Sequence, residues 1–158
     1  PSLGGLLFLL TPLGTAVAAP VSGWGADRLG THGLVVAGLA LEGAGLFWVS
    51  QLGPTSHAGS MAFALLLVGL GLGIFTVPNM SLVMGALPRA RQGIAGGLVW
   101  MMRTFGVVLG ASLASYVFDW RQRVTASFIT AFRDAFLVST AVCFGALLVS
   151  LIPTRRRD

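Results

Sequence analysis

An all-α, polytopic membrane fold is predicted by three observations. Of the 158 residues, 55% are hydrophobic and only 9% are charged, whereas an ordinary soluble domain carries about 25% charged residues. The charges are spaced so that five apolar stretches each approach or exceed the about 20 residues that a helix needs to cross a bilayer core of about 30 Å. The stretches also lack the apolar–polar alternation of a membrane barrel. A soluble bundle is excluded on area: helices apolar on every side must be buried on every side, and a chain this short cannot enclose five of them.

The first predicted span covers residues 3–22, inside a charge-free stretch, residues 1–26. The second, 33–52, holds Glu42 as its single charge. The third, 60–86, holds none, and Gly53-Pro54 and Pro88 mark the turns on either side of it. The fourth, 94–118, holds only Arg103. The fifth, 135–152, is charge-free and stops at Pro153, before the tail 153–158. The connection 119–134 reads DWRQRVTASFITAFRD, with Trp120 and Phe128 set among charges, and predicts a short helix lying in the membrane interface. One transmembrane domain, 1–158, accounts for the whole chain.

With five spans the termini lie on opposite sides of the membrane. One side then collects Arg28, Arg89, Arg91, Arg155, Arg156 and Arg157, and the other Arg121, Arg123 and Arg133. The excess of arginine places the first side, and with it the C-terminal tail, in the cytoplasm. A net charge of +5 therefore serves orientation in the bilayer, and a nucleic-acid partner is not expected. Cys143 is the single cysteine, and His32 and His57 sit at span ends. With no nucleophile beside a base and no H-E-x-x-H pattern, no catalytic residue, metal site or cofactor is expected, and the chain is not read as an enzyme.

Two motifs carry more specific information. Gly23, Asp27, Arg28 and Gly30 spell G-x-x-x-D-R-x-G between the first two spans. Glycines there allow close helix approach. Asp27 is expected just ahead of a helix N-terminus, where the dipole favours a carboxylate, and Arg28 is placed to pair with acids or helix-end carbonyls. Further on, GLGLGIFTVPNMSLVMGALPRARQGIAGGLVWMMRTFGVVLGASLAS, residues 69–115, combines a glycine-rich span, a mid-helix proline and a short basic loop with R-x-x-G-x-x-x-G.

The first motif resembles the signature loop of the major facilitator superfamily, in the weaker copy between the second and third spans of the C-terminal half. Thr31 and His32 stand where that pattern usually continues with a basic pair. The second is similar to the fourteen-span drug:proton antiporters of the same superfamily. The resemblance implies that the five spans are the last five of fourteen, the first span of the C-terminal half and everything before it being missing. It further implies a cell-membrane protein that exports small lipophilic or cationic compounds in exchange for protons, by rocking of two half-bundles. Its partners would be the bilayer, the small-molecule substrate, protons and the missing N-terminal half or another membrane chain. A small membrane interaction protein that packs on another transporter half, without transporting by itself, is the alternative.

By the same resemblance residues 60–86 line the central cavity. Pro78 removes a backbone donor and frees the carbonyl of Ile74. Thr76 and Asn79 share a face and Ser81 lies a short rotation away. These side chains are read either as substrate-path groups or as helix-bonding ones. Phe75, Met80 and Met84 offer an adaptable apolar wall or ordinary packing. Arg103 lies about 15 Å into its span at the helical rise, and its cost in lipid demands a protein, water or ligand neighbour. Glu42 is read as an uncharged carboxyl, as a partner of Arg103, or as a proton carrier. Gly106 and Gly110 form a small-residue ridge for helix packing, or mark a face left open by a missing helix.

Overall fold

The computed structural model describes residues 2–53, 56–85, 88 and 91–152. Five helices follow in order: α1 (Ser2–Leu29), α2 (Thr31–Ser50), α3 (Ala58–Gly85), α4 (Gln92–Thr125) and α5 (Phe128–Ser150). Each is long and apolar enough to cross a membrane, so the expected all-α, five-span architecture is present. Pro54, Arg89, Pro153 and the tail with Arg155, Arg156 and Arg157 lie outside the described residues.

The helices run further than the charge pattern indicates. α1 continues through the D-R motif to Leu29, and only Gly30 separates it from α2. Gly30 has φ 88°, a left-handed backbone that side chains resist, so glycine is what lets the chain turn within one residue. Residues 119–134 form no separate interfacial helix. α4 continues to Thr125 and α5 begins at Phe128, so Ala126 and Ser127 alone make the turn, with Ala126 at φ 50°. Thr125 Oγ1 donates to the Arg121 carbonyl at 2.7 Å, and the Arg121 guanidinium pairs with the Asp134 carboxylate. Turn and ion pair extend both helices past the apolar stretch. At 34 residues α4 measures about 51 Å along its axis.

α3 is the centre of the packing. It lies along both α1 and α2; α2 also packs on α5, and α5 carries α4. The GLGLG run explains how one helix serves two neighbours. Residues two apart in a helix point to nearly opposite sides, and residues four apart to nearly the same side. Gly69 and Gly73 accordingly meet Thr11, Thr15 and Ala18 of α1, whereas Gly71 meets the backbone of Glu42 in α2. α1 and α2 reciprocate with Gly14, Gly38 and Gly45. A Cβ at Gly38 would fall 2.6 Å from the Phe75 nitrogen, and one at Gly45 2.8 Å from the Val68 nitrogen. Apolar side chains gain little by mutual contact in lipid, so such close backbone approach is the main source of attraction.

Hydroxyls reinforce the α1–α3 seam. Thr11 Oγ1 donates to the Leu65 carbonyl at 3.3 Å, Thr15 Oγ1 to the Gly69 carbonyl at 3.1 Å, and Ser22 Oγ to the Gly73 carbonyl at 3.2 Å. Thr15 and Ser22 share these hydroxyl protons with carbonyls of their own helix, Thr11 and Ala19. The seam is thus closed by glycine, alanine and hydroxyl side chains, all small enough to let the carbonyls be reached.

Candidate functional site

α3 and α4 are consecutive but diverge. Their contact is slight, and it includes Gln92 Nε2, which donates to the Met84 carbonyl at 3.4 Å, and Gly96, which faces Met84. Beyond that end they enclose a groove of about 1130 Å³. From α3 it is lined by Phe75, Thr76, Asn79, Met80, Ser81 and Met84, and from α4 by Leu98, Trp100, Met102, Arg103, Gly106 and Val107, among others. A smaller pocket of about 300 Å³ lies where Val49, Leu52 and Met61 meet Phe128, Ile129 and Phe132. Its lining has no polar side chain to orient a guest, so the larger groove is the candidate site.

Four of the five expected pathway residues, Phe75, Thr76, Asn79 and Ser81, line this groove together with Arg103 and Gly106. Pro78 is buried on the packed side of α3. Thr76 Oγ1 donates to the Leu72 carbonyl at 2.6 Å, so its hydroxyl proton is taken by its own helix and only its acceptor capacity faces the groove. Asn79 makes no side-chain hydrogen bond among the described residues, leaving its amide able both to donate and to accept. Trp100, which the sequence reading passes over, stands one turn before Arg103. The Arg103 guanidinium lies 5.5 Å from the centre of its ring, within cation–π range. A period-3.6 projection from Arg103 would have found it, because residues three apart share a face.

The other expected residues lie elsewhere. Gly23 packs toward Val77 of α3. Asp27 and Arg28 are exposed at the end of α1. Asp27 lies within the last turn of α1 instead of ahead of α2, so the favourable dipole expected for its carboxylate is absent there. Arg28, in that same last turn, has the sign the dipole favours, and it stacks 4.1 Å from the Trp24 ring centre. Gly110, like Gly106, has open space where a side chain would project. Neither glycine packs a helix of the described chain.

Glu42 and Arg103 are on helices that do not touch. Glu42 is pressed against α3 at Gly71, where an added Cβ would lie 2.7 Å from the Glu42 Cα. The neighbouring Cys143 thiol of α5 donates to the Leu39 carbonyl at 3.4 Å. The one ion pair among the described residues is Arg121 with Asp134. A double-mutant cycle of Glu42→Gln and Arg103→Gln, read by unfolding in detergent, is therefore expected to give a coupling below about 0.5 kcal/mol; a larger value would show a pairing that this packing does not contain.

Among the described residues no cluster of histidine, cysteine and acids is placed to hold a metal. What the groove offers is a non-covalent berth lined by an apolar wall, one amide, two hydroxyls and one guanidinium.

The chain matches the Major Facilitator Superfamily over residues 1–158. It is 25% identical to the riboflavin transporter RibZ of Clostridioides difficile, over 100% of this chain and 36% of the relative. It is 31% identical to the uncharacterized transporter YebQ of Escherichia coli, over 92% of this chain and 32% of the relative. With the tetracenomycin C resistance and export protein of Streptomyces glaucescens the identity is 35%, over 65% of this chain and 20% of the relative. The chain thus spans about a third or less of the length of these relatives, which are transporters and not enzymes. Five membrane-spanning helices packed through glycines, and a family match that runs from the first residue to the last, lead to one assignment: the chain belongs to the major facilitator superfamily.

Proposed function

We propose that this chain is the C-terminal part of a fourteen-span drug:proton antiporter, which exports small lipophilic compounds across the cell membrane. The carrying observation is the α3/α4 groove of about 1130 Å³, large enough for a drug-sized molecule and mostly apolar, with a few polar groups to orient it. The α3–α1–α2 cluster, tied by backbone contact and hydroxyl bonds, acts as a rigid unit. α4, held mainly by α5, supplies the wall that moves as access alternates. Protons drive the cycle, and the arginine-rich tail stays in the cytoplasm. The export of tetracenomycin C named for one relative supports the export of a small molecule.

The open face of α4 favours a second element of the reading. Ile94 is 75% exposed and Leu109 67%, and Gly106 and Gly110 face empty space. We propose that further membrane helices, from the missing half or another chain, complete the bundle there. The same face supports the alternative of an interaction protein that docks on another transporter half.

The test has two parts. Binding of a fluorescent lipophilic dye to the chain in lipid nanodiscs should weaken about tenfold in Asn79→Trp, which pushes an indole into the groove and removes its amide; unchanged affinity would remove the groove as the cargo site. Vesicles holding residues 1–158 alone should show no proton-driven dye efflux, and efflux from them would refute the need for a second half.

A further inference from the structure

We infer that the α3/α4 groove prefers small aromatic compounds that carry a negative charge, and that Arg103 is the group that selects them. The inference rests on the reading of the groove as the cargo site, and it parts from the cationic cargo that the family resemblance implies.

Charge is the first argument. Of the described side chains lining the groove, Arg103 alone is ionisable at neutral pH. No acid of the described chain reaches it: Glu42 lies against Gly71 and Asp27 at the end of α1, on helices that do not touch α4. Asp134 is taken by Arg121, and Asp119 lies sixteen residues further along the helix, about 24 Å away at the helical rise. The contact with Trp100 attracts the guanidinium without neutralising it. Without an acid beside it in the described chain, the positive charge next to an apolar lining attracts anions and repels cations.

Geometry is the second. The guanidinium fork matches the paired oxygens of a carboxylate, sulfonate or phosphate. Phe75 and Trp100 bring aromatic rings to the groove lining, Asn79 supplies a further donor, and Met80 and Met102 adapt to varied outlines. Depth decides among possible anions. Arg103 is eleven residues from the start of α4, about 16 Å along the axis, so a lipid headgroup at the membrane surface does not reach it. A second copy of the chain docking through this face would set one Arg103 against another. A small organic anion with an aromatic body fits both the charge and the depth.

The test uses three naphthalene probes of like size: a sulfonate, the neutral alcohol and a trimethylammonium. Binding is measured by equilibrium dialysis to the chain in nanodiscs of zwitterionic lipid. The sulfonate is expected to bind about tenfold tighter than the ammonium. Arg103→Gln should erase that ratio, Arg103→Lys should keep most of it, and Asn79→Trp should weaken all three. Equal or tighter binding of the ammonium, or a ratio that survives Arg103→Gln, overturns the inference. If the neutral probe binds and is displaced in Asn79→Trp while no charge preference exists, the groove stands as the cargo site and only the role of Arg103 falls. If no probe binds the unaltered chain, both fall.

Discussion

Valine in place of Gly69 or Gly71 is expected to destabilise the chain by about 3 kcal/mol, read as a loss of thermal stability in detergent and a lower yield of folded protein. A Cβ at position 69 would press on the Thr11 carbonyl, and one at 71 on the backbone at Glu42. Backbone cannot swing aside as a long side chain can, so the helices must separate, and the hydroxyl bonds of the α1–α3 seam would lengthen with them. Gly73→Val belongs to the same group, with Ala18 Cβ 2.7 Å from the added atom. Gly106→Val and Gly145→Val are the controls. Both positions open on empty space, and each change is expected to stay within about 0.5 kcal/mol. Equal sensitivity at 69 and 106 would show that α3 is not the packing centre.

Removing the three seam hydroxyls together, in Thr11→Val, Thr15→Val and Ser22→Ala, is expected to cost about 2 kcal/mol. That figure follows from about 0.6 kcal/mol for each hydrogen bond between membrane helices. The loss should be close to additive, because the three donors reach different carbonyls, those of Leu65, Gly69 and Gly73. Thr76→Val is the matched control: its hydroxyl bonds only Leu72 of its own helix, and its loss leaves the seam intact. Steady-state unfolding in mixed detergent reads both. A triple variant as stable as the unaltered chain would assign the seam to glycine contact alone.

Which features were legible in the sequence follows from the range of the forces involved. The exclusion of charge from lipid acts on each segment by itself, so five spans could be read from where Glu42, Arg103 and the loop arginines fall. That Thr76 and Asn79 share one face was legible for a similar reason, since three residues along a helix put them there whatever the neighbours are. The helix ends were less legible. α1 passes through Asp27, and α4 through Trp120 and Arg121, because a charged residue beyond the hydrocarbon core is no obstacle to a helix. What stops those helices is Gly30 and Ala126 in left-handed conformations.

The glycines show the boundary most clearly. Gly69, Gly71 and Gly73 look no different in sequence from Gly106 and Gly110, yet the first three admit neighbouring backbones and the last two face open space. Glu42 and Arg103 likewise stand at comparable depth in their spans, and depth alone permits a pair. Sequence by itself determined that this chain crosses a membrane five times as helices and which side chains are costly there, because transfer from water to lipid is a property of each segment alone. Only the tertiary structure decided that α3 is the centre, that α4 stands apart to open the groove, and that Arg103 lines it with no acid beside it among the described residues, because contact depends on which helices meet.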